Sequence, residues 1–116
     1  MKRVSFTVAK ALKEAGYPQV YETPEYFYTT NGQLTNNFYA RDSIECVAPT
    51  YLDAWVWLCR EKKIYIRLDI ATDTCLWYYA ISIEHEIVAL GNCSFADPEE
   101  AIKSAIEYLV ENNLIK

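Results

Sequence analysis

The single histidine, His85, lies in Glu84-His85-Glu86. A carboxylate beside an imidazole can orient it or raise its basicity, as general acid–base work requires. Consecutive strand residues point to opposite faces, so these three converge only through an irregular turn. The cysteines Cys46, Cys59, Cys75 and Cys93 are spaced 13, 16 and 18 residues apart. No Cys-x-x-Cys pair exists, which excludes a zinc ribbon and a thioredoxin-type redox pair. A thiol nucleophile would need Cys93, just after Gly91-Asn92, or else Cys75, brought to His85 by the fold. A metal centre needs three or four convergent ligands, and one histidine with scattered thiols does not supply them. Gly16, Gly32 and Gly91 are too far apart for a phosphate-cradling loop. Neither Asp53, Asp69 nor Glu84 sits in a context that favours paired-carboxylate catalysis. The expectation is therefore no catalytic constellation, no metal and no cofactor, with His85 and Cys93 the only reactive side chains to watch.

The other conspicuous residue type is tyrosine, 10 in a chain with 3 Trp. Tyr17, Tyr21, Tyr26, Tyr28 and Tyr39, with Phe27 and Phe38, crowd residues 17–49. Tyr offers a large contact area with few torsions to fix, and it is enriched among residues that carry interface energy. Tyr26 and Tyr28 share one strand face and Phe27 takes the other. Such a strand either meets a partner or folds back over the second face of another sheet, covering Tyr65 or Tyr78. Tyr21, Tyr26, Phe27, Tyr28 and Tyr39 are thus the candidate interface residues.

Elements that would position these residues can be read from periodicity. Val8, Ala9, Leu12 and Ala15 predict a helix over 5–15, capped by Ser5 and stopped by Gly16 and Pro18. Asn31-Gly32 between aromatic and polar segments predicts a hairpin with a type I′ turn. Pro49-Thr50 opens a helix over 51–62, with Thr50 placed to cap. Its apolar stripe is Leu52, Trp55, Val56 and Cys59, widened by Leu58. Ile64, Ile66, Leu68 and Ile70 alternate with Tyr65, Arg67 and Asp69, the pattern of a strand with one apolar face. A return strand over 76–84, a polar turn at 84–86 and a short strand over 87–90 follow. Asp97-Pro98-Glu99-Glu100 opens a last helix over 98–112, with Ala101, Ile102, Ala105, Ile106, Leu109 and Val110 as its buried stripe. The order α–ββ–α–βββ–α predicts an α+β domain: an antiparallel sheet, a three-strand meander plus a Tyr-rich hairpin, with three helices. The expected core sets Trp55, Val56 and Cys59 against Ile64, Ile66, Leu68 and Ile70, joined by Ile102, Ile106 and Leu109.

The 116 residues fit a single domain over 1–116, with 52% apolar and 23% charged residues. That balance excludes disorder and low-complexity repeats. No apolar run approaches the roughly 18 residues a membrane helix needs. The first residues show no secretory signal, so the thiols are read as reduced and the chain as cytoplasmic. The net charge is −5, with basic residues concentrated in 1–20 and 59–70. An acidic chain does not attract phosphate backbones over long range, which disfavours nucleic acid as a partner.

Several segments resemble known small proteins. Val8-Ala9-Lys10, the aromatic hairpin, Val47-Ala48-Pro49-Thr50 leading into Trp55-Val56-Trp57-Leu58, and Asp97-Pro98-Glu99-Glu100-Ala101-Ile102 resemble an uncharacterised family from gut Bacteroidales and their phages and prophages. That likeness implies a bacterial mobile-element setting and no site residues. Residues 64–112 alone look like the HicB antitoxin core, a short sheet against helices. The antitoxins usually carry a separate DNA-binding segment, and none follows here. The expected function is a small non-enzymatic interaction module that binds a protein partner or forms a homo-oligomer. The alternatives are a HicB-like regulator and an enzyme with an unfamiliar site around His85 or Cys93.

Overall fold

The computed structural model describes residues 2–19, 26–36 and 43–115. Its elements are α1 (Phe6–Glu14), β1 (Phe27–Thr29), β2 (Leu34–Thr35), β3 (Ile44–Val47), α2 (Tyr51–Lys62), β4 (Ile64–Ile70), β5 (Trp77–Ile83), β6 (Glu86–Leu90) and α3 (Pro98–Glu111). The fold is α+β, in the predicted order, with one difference. The hairpin does not stand apart. It gains β3 and becomes a three-stranded antiparallel sheet ordered β2-β1-β3, separate from the sheet β4-β5-β6. The overall extents are 50 × 28 × 20 Å.

Local chemistry explains the helix boundaries. Ser5 Oγ accepts the Val8 N–H at 3.3 Å, Thr50 Oγ1 the Asp53 N–H at 3.1 Å, and Asp97 Oδ1 the Glu99 N–H at 2.7 Å. Each satisfies a donor that has no partner within its helix. α1 ends at Ala15, with Gly16 at φ 104°, and α2 ends at Lys63, with φ 56°.

The turns trade places with the sequence expectation. At Asn31-Gly32 only Gly32 has positive φ, 81°. The Gly32 N–H donates to Thr29 O and the Thr29 N–H to Gln33 O, both at 2.9 Å. This is a three-residue loop ending in a left-handed glycine, not the type I′ turn expected there. The type I′ turn is at Glu84-His85, where φ is 54° and 68° and Ile83 pairs directly with Glu86.

One buried cluster unites the two sheets. It runs from Val4, Val8 and Leu12 through Tyr28, Cys46 and Tyr51 to Leu58, Ile64, Ile66, Tyr79, Ile81, Ile102, Ile106 and Leu109. The α3 part of the expected core is therefore present, as are Ile64, Ile66 and Leu68 of the sheet. Ile70, expected with them, is 37% exposed at the end of β4. The α2 part is rotated. α2 buries Tyr51, Ala54 and Leu58, while Leu52 and Val56 are 38% and 41% exposed. Trp55 and Cys59 are half-buried at the flank. α2 packs against both β4 and α3. Ala54, Ala101 and Ala105 are fully buried, and small side chains of this kind allow helices to approach closely.

Candidate functional site

Among the described residues, the sheet β4-β5-β6 has one covered face and one open face. α2 and α3 cover the face bearing Ile64, Ile66, Leu68, Tyr79, Ile81 and Ile83. The register fixes what lies on the other. Tyr65 pairs with Ser82 and Ser82 with Ile87, which forms one row across the strands. Arg67, Ala80 and Leu90 form the next row, and Asp69 and Tyr78 a third. An antiparallel sheet can face water on one side, and that side is then normally polar. Here Tyr65, Ile87 and Leu90 are 44%, 58% and 68% exposed. Single exposed apolar side chains need no explanation, but neighbours in register on one uncovered face do.

The open face continues around the β4 edge. Leu52, Trp55, Val56, Cys59 and Arg60 of α2, with Tyr65 and Ile66 of β4, line a shallow groove of about 280 Å³. Trp55 Nε1 donates to Ile66 O at 2.9 Å and closes that point of the strand edge. Tyr65 belongs to both the groove and the face. The stripe read from the sequence as core is therefore the lining of a surface groove. A helix with apolar residues on two adjacent faces gives no sign of which is internal, and Tyr51 and Ala54 are weak markers of a core face.

Charge on the open face is sparse and specific. Asp69 Oδ1 accepts the Ile70 N–H at 2.8 Å and Oδ2 accepts the Tyr78 hydroxyl at 3.3 Å. The Asp69 charge beside it raises the Tyr78 pKa above the ordinary tyrosine value, with smaller contributions from desolvation and this hydrogen bond. Arg67 stands two residues from Asp69 on the same face. The one ion pair among the described residues, Lys2 with Glu100 at 3.2 Å, lies elsewhere.

The hairpin aromatics are placed differently from the expectation. Phe27 and Tyr28 are buried, at 3% and 9% exposure, so they do not offer their rings to a partner. The Tyr28 hydroxyl donates to Val4 O at 2.6 Å, and its ring lies 5.3 Å from that of Phe6. Tyr26 is half-buried under the Arg3 guanidinium, 4.8 Å from the ring centroid. β3 pairs beside β1 in the same sheet, and Val4 and Phe6 of the N-terminal segment pack on Tyr28, a burial that periodicity did not reveal. The strand does not fold over Tyr65 or Tyr78. Tyr21 and Tyr39 lie outside the described residues.

The reactive candidates are not brought into a site. His85 and Cys93 are both exposed, and neither lines the groove. His85 occupies the left-handed turn, with Glu84 in the same conformation. All four cysteines are free thiols. Burial, reinforced by Glu45, pushes the Cys46 thiol up to about 11, so it stays protonated and unreactive near neutrality. Burial and the nearby Glu107 carboxylate push the Tyr51 hydroxyl up to about 12. Among the described residues no group of three or more His, Cys, Asp or Glu could hold a metal ion. No described helix is long and apolar enough to cross a membrane. Comparisons with protein-family models, curated proteins and solved structures find no match.

Proposed function

We propose that the chain is a small non-enzymatic interaction module that binds protein through the open face of the β4-β5-β6 sheet. The observation that carries this reading is the uncovered row arrangement of Tyr65, Ile87 and Leu90, continuous through Tyr65 with the α2 groove. The surface joins exposed aromatic and aliphatic groups to a few charges, the composition of a protein interface. Nucleic acid fits poorly, because the chain has net charge −5 and Arg67 is the only cation in the three rows. The resemblance to small proteins of Bacteroidales and their phages gives the setting, an accessory protein of a bacterial mobile element.

Site-specific photo-crosslinking tests the reading. A benzophenone side chain at Leu90 is expected to trap a protein in the native cell, while the same group at exposed Glu111 of α3 does not. The trapped protein, purified and mixed with this chain, should bind at least about tenfold more weakly to Leu90→Lys. No adduct at Leu90, or equal adducts at both positions, refutes the assignment of this face.

A further inference from the structure

We infer that the partner docks by adding an extended, basic segment as a fourth strand along the free edge of β6. The inference rests on reading the open face as a protein-binding surface, and it adds how the partner binds and what chemistry it carries.

The edges of the two sheets are not treated alike. Among the described residues the edge strands are β2, β3, β4 and β6. An edge strand presents N–H and C=O groups that no neighbouring strand satisfies, and proteins usually blunt such edges. β2 has only two residues. On β3, Gln19 Oε1 accepts the Val47 N–H at 2.8 Å and Lys13 Nζ donates to Glu45 O. On β4, Trp55 Nε1 donates to Ile66 O and Asp69 Oδ1 accepts the Ile70 N–H. Side chains thus occupy two points on each of these longer edges. β6 has five residues, and no described side chain bonds to its backbone.

The register identifies the free groups on β6. The Gly91 N–H turns inward to Tyr79 O, so by strand alternation Leu90 turns its N–H and C=O outward. Ile83 and Glu86 close the two-residue hairpin as a bonded pair, so Ile87 also turns its groups outward. The bulge between them inserts Val88 and keeps Ile87 and Leu90 on one edge and one face. A bulge interrupts long regular pairing, so the added strand is short, with its bonds concentrated at Ile87 and Leu90. A helix satisfies its own backbone and offers nothing to these groups, whereas an extended segment offers both donors and acceptors.

Side chains set the composition of that segment. On the open face it lies beside Ile87 and Leu90, which are 58% and 68% exposed, so every second residue is apolar. Residues 84–97 hold Glu84, Glu86 and Asp97 and no Lys or Arg. Glu86 is exposed at the start of β6, and no ion pair among the described residues engages it. The intervening residues are therefore Lys or Arg, since opposite charges across strands attract and like charges repel. A second copy of β6 brings the same carboxylates and a second bulge, which makes it the poorer occupant.

The probe is a capped hexapeptide of three Lys-Val repeats, which sets valines on one face and lysines on the other. Titrated into the isotope-labelled full chain, it should shift the backbone amide resonances of Ile87 to Leu90 saturably, with a dissociation constant of about 0.1–1 mM. At about ten times that concentration nearly all of the chain is bound, so exchange of the Ile87 and Leu90 amide hydrogens should slow about tenfold. The same peptide N-methylated at its valines loses the donors that face β6 and should bind at least about tenfold more weakly. Leu90→Pro removes an outward N–H without touching the β5 ladder and should weaken binding in the same direction. Should Leu90→Pro fail to fold, Glu86→Lys, a change at an exposed position, should switch the preference to a Glu-Val peptide of equal length. No binding up to about 10 mM overturns the inference, as does equal binding of the N-methylated peptide or a set of shifts centred on the α2 groove. Glu86→Lys without a switch in preference overturns the basic composition. A second copy crosslinked through Leu90 overturns a foreign strand as the occupant. A different protein crosslinked at Leu90, with no slowing of these amides by the peptide, overturns strand addition alone and leaves the binding face standing.

Discussion

Gly91→Ala isolates one steric contact. Gly91 follows β6 and donates its N–H to Tyr79 O at 2.9 Å. A Cβ at this position would lie 2.3 Å from Tyr79 Cε2, 2.5 Å from Cδ2 and 2.8 Å from Cζ. The positive-φ glycines are Gly16 and Gly32, so alanine at 91 meets no backbone penalty and only the contact matters. Non-bonded carbons prefer about 3.5–4.0 Å, so the ring must retreat by more than about 1 Å. Tyr79 is 6% exposed and lies in the core cluster beside Phe95, with ring centroids 6.3 Å apart. Overpacking of this kind costs about 1–3 kcal/mol, and an aromatic face with little room to move belongs near the top of that range. Urea denaturation should show a lower midpoint with an unchanged slope. In a Tyr79→Ala background all three ring atoms are gone, and Gly91→Ala should then cost less than about 0.5 kcal/mol, a coupling of about 2 kcal/mol. The reasoning fails if Gly91→Ala is neutral in the parent chain, or if the penalty is the same in both backgrounds.

Further outcomes follow from the same geometry. Leu58→Ala should destabilise by about 2–5 kcal/mol because Leu58 is fully buried, whereas Val56→Ala, at 41% exposure, should cost under about 1 kcal/mol; urea titration of the two checks which stripe of α2 is internal. Tyr28→Phe should cost about 1 kcal/mol in the same assay, through loss of the bond to Val4 O. Raised folded-state pKa values at Cys46 and Tyr51, about 11 and about 12, favour the folded state fully below pH 9. That contribution is lost as pH rises through about 9 to 12, each group accounting for about 2–3 kcal/mol at the limit. Chemical denaturation across this alkaline window should show the decline, and Cys46→Ala should remove its lower portion. His85→Gly should raise stability by about 0.5–1 kcal/mol, because His85 holds φ 68° where glycine is unstrained; thermal melting reads the change.

Where the signal was local, the sequence was readable. Thr50 and Asp97 cap helices, Ile64 to Ile70 alternate, and Pro98 opens α3, each through a neighbour a few residues away. The failures are all tertiary. Asn31-Gly32 has the composition of a type I′ turn, but one more residue in the loop relieved Asn31 of positive φ. Glu84-His85 has no such composition and takes the conformation because β5 and β6 pair right up to the turn. The hairpin aromatics read as interface residues, yet β3 pairs beside β1 and the N-terminal segment packs on Tyr28, and Phe27 and Tyr28 are buried. Nothing in the period of residues 44–47 announces that they pair with β1. The candidate surface was legible only in its parts. Tyr65, Arg67 and Asp69 were read as one strand face, but Ile87 and Leu90 joined them through a register that contains a bulge.

α2 shows why that surface is open. Twelve residues of this helix carry Tyr51, Leu52, Ala54, Trp55, Val56, Trp57, Leu58 and Cys59, more apolar side chains than one stripe can hold. A helix apolar nearly all round is stable in water only if most of it is covered. Tyr51, Ala54 and Leu58 go to the core. Trp57 is covered on another side by Tyr17, whose ring lies 5.2 Å away, and by the Lys62 ammonium at 5.6 Å. Leu52 and Val56 are left, and within the described residues nothing closes the groove they line. Had α2 lain squarely over the sheet, this stripe would have been internal. Instead the helix flanks β4, where Trp55 caps the strand edge and Tyr65 meets the stripe from the sheet side. The same placement leaves α3 as the main cover of one sheet face, and no described helix lies on the other. The open face and the open groove thus have one structural cause, and Tyr65 makes them one surface.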